Sequence, residues 1–290
     1  MRPRGRESLD YESTSRSATL QGGDIHYHEA GEGPPLLLLH GSGPGVSAWA
    51  NFGANLQTFA KTHRVIMPDL PGYGKTSAAL GASPPETVGV IVQFMDALGI
   101  ERADLIGNSF GAMIGSQLAA NLPQRVRRFV AIGGIGLYVF SAFPGEGLRR
   151  LSEFVEDPKR ETLVAWLRSM VYDDSFVTEE MIESRLALAT QPEILAASRV
   201  VYSRASLDAI AAGARGATAL APVAHLPKIE APTLLCWGRD DRVTPLDGAL
   251  VPMRIIPNCE LHVFPQCGHW TMIEQKAGFE AVVGAFLALD

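Results

Sequence analysis

The 290-residue sequence is short of several things that would define its class. It has three cysteines, Cys236, Cys259 and Cys267. That odd number without C-x-x-C spacing supplies neither a disulfide framework nor a zinc site, so they are expected to be reduced and structural. It lacks a long apolar run: Leu36 to Leu39 and Ala281 to Leu289 are too short to span a bilayer, and no membrane segment is expected. It lacks a positive field, because 25 basic against 31 acidic residues leave a net charge of −6. Nucleic acid is therefore not an expected partner, and Arg125, Arg127 and Arg128 read as a solvated face. Internal repeats and low-complexity stretches are also missing. The opening Met1 to Ser17 is polar and arginine-bearing with no apolar h-region, so it reads as a flexible tail and the expected location is cytoplasmic.

What is present is a globular composition, 47% hydrophobic, with room for a large core. Strands are expected at Ala18 to Leu20 and Asp24 to His28, around the turn Gly22-Gly23, and at Pro35 to His40, Arg64 to Pro68, around Leu105, and at Val126 to Ile132. From there to about Ala217 the pattern turns helical, with Glu161 to Val171 and Thr178 to Thr190 spaced as helices and Thr178-Glu179-Glu180-Met181 as a helix start. After Pro227 strand and helix alternate again. The organisation expected is a tail over 1–17, an α/β core over 18–136 and 218–290, and a helical cap over 137–217.

Within this frame, Gly107-Asn108-Ser109-Phe110-Gly111 is a G-x-S-x-G element between an apolar strand and a helix-like run. Small residues two before and two after the serine let flanking backbones approach, and the hydroxyl stands at a helix N-terminus, where developing negative charge is favoured. A nucleophilic serine needs a base and an acid to orient it. Both follow downstream, each just beyond a strand end: Gly238-Arg239-Asp240-Asp241-Arg242 after Pro232 to Trp237, and Cys267-Gly268-His269 after Leu261 to Phe264. His269, beside a flexible glycine, is the candidate base. The residues alone leave Asp240 and Asp241 both open as the acid. His40-Gly41-Ser42-Gly43-Pro44-Gly45 follows a strand, and a backbone N–H near Ser42, with that of Phe110, would make an oxyanion hole.

Other motifs read as decoys. Gly72-Tyr73-Gly74-Lys75-Thr76 lacks the first glycine of a phosphate loop, and His26 with His28 lacks a third metal ligand and reads as ordinary sheet surface. No metal and no cofactor is implied.

The segments His40 to Gly45 with Trp49, Asn51 and Phe52, Gly107 to Gly111, Trp237 to Gly248, Leu261 to Trp270, and Met170 to Arg185 together resemble the meta-cleavage product hydrolases, carbon–carbon bond hydrolases of the α/β-hydrolase superfamily. The resemblance runs from about Gly23 to the C-terminus and departs at Ala112, where the family usually carries glycine. It implies an α/β-hydrolase fold, a mostly parallel sheet with flanking helices and an inserted helical cap. It assigns the acid to Asp241 and places Asn51, Asn108, Arg185 and Trp270 against the substrate. That substrate would be a small acidic 2-hydroxy-6-oxo-hexa-2,4-dienoate from ring opening of a catechol, and the chain would be a homo-oligomer, dimer or tetramer. The segment around Gly133 to Gly147, with Leu137, Tyr138, Val139, Phe140 and Phe143, resembles the cap entrance of members acting on larger, including steroid-derived, ring-cleavage products. The alternatives are a carboxylesterase or lactonase using the same three residues, or a ligand-binding receptor of hydrolase fold. Serine at position 109 disfavours a dehalogenase.

Overall fold

A computed structural model describes residues 9–81, 83–213 and 220–289. Among them the strands are β1 (Ser15–Leu20), β2 (Gly23–Ala30), β3 (Pro35–Leu39), β4 (Arg64–Pro68), β5 (Ala103–Asn108), β6 (Val126–Ile132), β7 (Thr233–Gly238) and β8 (Cys259–Phe264). They form one sheet in the order β1-β2-β4-β3-β5-β6-β7-β8. β1 with β2 and β2 with β4 pair antiparallel, and every later neighbour pairs parallel. Parallel strands need both faces covered, which is why β5 and β7 are buried at every position. This is the α/β architecture expected from the alternation of apolar runs and helices.

Alternation along each strand sorts the core into two layers. Leu36, Leu38, Ile106, Val130 and Leu234 face one cluster, while Leu37, Leu39, Leu105, Phe129 and Leu235 face the other. The helices of the sheet layers are α1 (Tyr11–Thr14), α2 (Ala48–Phe59), α3 (Pro84–Ala97) and α4 (Phe110–Asn121). Between β6 and β7 come α5 (Glu146–Glu156), α6 (Arg160–Ser169), α7 (Glu179–Ala189), α8 (Pro192–Tyr202) and α9 (Arg204–Gly213), followed later by α10 (Leu250–Ile255), α11 (Thr271–Glu274) and α12 (Lys276–Leu287). Phe154, Trp166, Ile182 and Tyr202 of the helices between β6 and β7 join the same buried cluster as Phe52 of α2 and Phe279 of α12. Each fully buried large apolar side chain contributes about 1.5–3 kcal/mol, so these helices are held onto the sheet layers by continuous apolar packing. The helix start at Thr178 has a direct cause: its side chain accepts the Met181 N–H at 3.2 Å.

Two expectations need correction. The expected tail runs to Ser17. Its first eight residues lie outside the described residues, but Tyr11–Thr14 form a helical turn capped by Asp10 and the strand begins at Ser15. The cause is a long-range aromatic contact: the Tyr11 ring packs on His28 and Trp49 with centroids 4.6 and 5.5 Å apart. The same contact removes His26 and His28 from the sheet surface. Both are buried, with His26 Nδ1 2.8 Å from Asp69 Oδ2 and His28 Nδ1 3.0 Å from Thr14 Oγ1. Asp69 also accepts the Lys75 and Ala48 N–H groups, so the Gly-Lys-Thr segment is a turn wrapped on a carboxylate. No helix among the described residues is long and apolar enough to cross a membrane.

Candidate active site

Ser109 sits between β5 and α4 with φ 51° and ψ −109°, a conformation rarely adopted by a residue carrying a Cβ. Its neighbours enforce it. A Cβ on Gly111 would lie 1.9 Å from the Leu39 carbonyl oxygen, and one on Gly107 would lie 2.5 Å from the Gly111 carbonyl carbon, so the elbow closes only with glycine at both. Ala112, the departure from the family pattern, is fully buried at this crossing. The Ser109 N–H donates to the Ile132 carbonyl at 2.8 Å, which ties the turn to β6. Phe110 opens α4, so its N–H has no acceptor within the helix and points out of the first turn.

Asp241 follows β7 and His269 follows β8, and the two meet: His269 Nδ1 is 2.7 Å from Asp241 Oδ2, both side chains buried. A carboxylate only accepts, so Nδ1 carries the proton and Nε2 is left as the free base. Asp241 is further held by the Val243 N–H at 2.7 Å, the Thr244 N–H at 2.9 Å and the Thr244 hydroxyl at 2.9 Å. Asp240 goes elsewhere, within 3.3 Å of Arg239, while its N–H donates to the Cys267 carbonyl. Of the two acids that the residues left open, only Asp241 is in contact with the imidazole. Cys267 is buried and burial pushes its thiol pKa up, as for Cys236, so neither is a ready thiolate.

Ser109, His269, Ser42, Asn51, Asn108 and Trp270 line one narrow cavity of about 40 Å³. Its far wall comes from Gly147, Leu148 and Leu151 of α5, Trp166 of α6, Met170, Tyr202 of α8 and Val243. Asn51 has a second task, since its Oδ1 accepts the Gly41 N–H at 2.9 Å and so holds the loop carrying Ser42. Asn108 Nδ2 donates to the Ile132 carbonyl at 3.3 Å. Arg185 is not among the lining residues. It lies over the Trp270 ring, with its guanidinium carbon 5.8 Å from the ring centroid, and is 5% exposed. Its one hydrogen bond among the described residues is a long one, 3.5 Å, to the Pro44 carbonyl. Burial lowers its pKa to about 10, which leaves it charged at neutral pH. The segment Leu137 to Phe143 does not line the cavity: the Tyr138 hydroxyl donates to the Val243 carbonyl, and Phe140 is 82% exposed.

Thr244 and Tyr202 escape a reading of the sequence. Thr244 carried a local signal, an Asp-x-x-Thr spacing in which the hydroxyl can turn back to the carboxylate. Nothing local marks Tyr202, which reaches Ser42 across 160 residues of chain.

The chain matches the α/β hydrolase fold family over residues 34–276. It is 36% identical over 275 residues to the 2-hydroxy-6-oxo-6-phenylhexa-2,4-dienoate hydrolase of Burkholderia cepacia, with 91% of each chain covered. It is 38% identical to the 2-hydroxy-6-oxononadienedioate/2-hydroxy-6-oxononatrienedioate hydrolase of Paraburkholderia phymatum, over 92% of this chain and 93% of that one. Among solved structures, a variant of the meta-cleavage product hydrolase from Pseudomonas fluorescens IP01, complexed with acetates, superposes with a TM-score of 0.82 at 33% identity, covering 96% of this chain and 98% of that one.

Proposed function

The chain belongs to the meta-cleavage product hydrolases of the α/β-hydrolase fold family, and from that premise we propose that it hydrolyses a carbon–carbon bond in 2-hydroxy-6-oxo-hexa-2,4-dienoate-type ring-cleavage products with Ser109, His269 and Asp241 as its catalytic residues. In this reading the dienol first becomes a ketone, so that the carbon leaving group can accept an electron pair. Ser109 Oγ adds to the distal carbonyl carbon, its proton passes to His269 Nε2, and the carbonyl π pair moves to the oxygen, which the Ser42 and Phe110 N–H groups stabilise. The carbon–carbon bond then breaks, and the departing carbon takes the proton. Water hydrolyses the acyl-serine, so that the net reaction adds one water and yields a shorter dienoate and an acid.

The observation that carries this reading over a plain esterase is Arg185. A buried guanidinium with no carboxylate against it among the described residues is an incomplete ion pair, and an acidic substrate seated beside Trp270, which lines the cavity, would complete it. Asn51, Asn108 and Trp270 would contact the oxygen-bearing end of the same molecule, and the residues of α5 and α6 would cover the distal one. The carboxylesterase or lactonase reading needs the same triad but has no use for Arg185. The test is multiple turnover of the coloured dienoate, followed by loss of its absorbance, against turnover of a neutral nitrophenyl ester. A preference for the ester would favour the esterase reading. A homo-oligomer and a cytoplasmic location belong to the same proposal on family grounds, and sedimentation and cell fractionation test them.

A further inference from the structure

The loop after β3 carries Ser42, and its supports come from two directions. From the sheet side, Asn51 Oδ1 accepts the Gly41 N–H, and the Leu70 N–H donates to His40 Nε2 at 2.9 Å. From the other side three helices press on it. A Cβ at Gly43 would stand 3.0 Å from the Trp166 ring of α6, and one at Gly45 would stand 3.2 Å from the Arg185 carbonyl oxygen of α7. Tyr202, the last residue of α8, donates its phenol O–H to Ser42 Oγ.

The contact spans 160 residues of chain and joins the loop directly to the C-terminal end of α8. Burial raises the pKa of the Tyr202 phenol, so it keeps its proton and acts as the donor. A hydrogen bond inside a low-dielectric site is stronger than one in water, so this one ties the loop to the helix end. Ser42 and Tyr202 both line the cavity that holds Ser109.

We propose that Tyr202 is a positioning residue for the oxyanion hole: by gripping Ser42 from α8, it makes the loop's productive geometry depend on that helix being docked over the sheet. This rests on the serine mechanism proposed above but not on the carbon–carbon substrate, because an ester carbonyl uses the same hole.

Tyr202→Phe keeps the ring and removes only the hydroxyl. A displaced oxyanion donor costs transition-state stabilisation and leaves ground-state binding alone, so kcat should fall by roughly tenfold or more while KM stays within about twofold. The fall should be equal on the dienoate and on a neutral nitrophenyl ester. A trifluoromethyl ketone supplies the readout that a merely structural role would not move. When Ser109 Oγ adds to its carbonyl, the proton passes to His269 and the oxygen takes up negative charge in the hole. Its affinity should weaken by the same factor as kcat, with affinity for the product dienoate unchanged. Ser42→Ala removes the other end of the same link, so the double variant should be no worse than the worse single one. A rise in KM at constant kcat, additive losses, or an unchanged affinity for the ketone would each overturn the proposal. A parent protein that turns over the ester and not the dienoate would sink the carbon–carbon reading and leave this test standing.

Discussion

Asp241 and Arg185 are both buried charges, each against a residue that lines the Ser109 cavity, and they are held in opposite ways. Asp241 receives four hydrogen bonds, from two backbone N–H groups, the Thr244 hydroxyl and His269. Arg185 has one long bond to a carbonyl and the face of Trp270. In the proposed mechanism the carboxylate is a finished part, fixed against the imidazole before any substrate arrives, which is how preorganised sites reduce reorganisation during reaction. The guanidinium is unfinished. A charge taken out of water without a partner is costly to hold, so its place in the fold makes sense if another molecule brings the counter-charge.

The strongest attack on the finished half is Ser109→Ala, which should remove several orders of magnitude of turnover and leave substrate binding in place, because nucleophile and base act as a unit. Single-turnover absorbance of the dienoate measures both. Near-parental cleavage by that variant would end the serine reading.

Next in size is the contrast within Gly238-Arg239-Asp240-Asp241. Asp241→Asn should lower kcat by roughly 10⁴, since an amide cannot hold the same imidazole tautomer or stabilise its cation. Asp240→Asn should lower it by far less, as that side chain faces Arg239. Equal losses in kcat would mean that the His269 contact does not decide the acid.

The unfinished half is tested by Arg185→Ala. Losing a hydrogen bond to a charged group costs about 1.5–3 kcal/mol, so kcat/KM on the acidic dienoate should drop roughly ten- to hundredfold, whereas a neutral nitrophenyl ester should be nearly unaffected. Parallel changes on the two substrates would take Arg185 out of the site.

A smaller effect tests whether saturated carboxylates also matter away from the chemistry. Burial opposes the ionisation of Asp69, but His26, His40 and the Ala48 and Lys75 N–H groups outweigh it and lower its pKa below the ordinary 3.8. A carboxyl depressed in the folded state contributes stability that is present above the unfolded value and is lost as pH falls through the folded one. Asp69→Asn should therefore lower Tm by several degrees at neutral pH, at roughly 2–4 °C per kcal/mol. The gap between the two proteins should close below about pH 3.8. A gap that persists unchanged into acid would show that Asp69 acts by shape and not by charge.

Much of the fold is legible in the order of the amino acids. Arg64 to Pro68 and Val126 to Ile132 were readable as strands because a buried parallel strand is a short apolar run with turn residues at both ends. Ser109 and His269 are legible as candidates because each follows a strand end with small residues beside it. The tail up to Ser17 was misread, since the contact that folds Tyr11 onto His28 and Trp49 spans up to 38 positions and leaves no local pattern.

The strands, the elbow, the family and the order of the candidate nucleophile, acid and base are written in neighbouring residues, whose spacing sets backbone geometry. It takes the packed chain to show that Asp241 and not Asp240 meets the imidazole by contact, that Arg185 is buried over the Trp270 ring with no carboxylate against it among the described residues, and that Tyr202 bonds to Ser42. Those outcomes depend on which way a side chain leaves a turn and on which distant helix end arrives beside it, and both are set by packing between elements far apart in the chain.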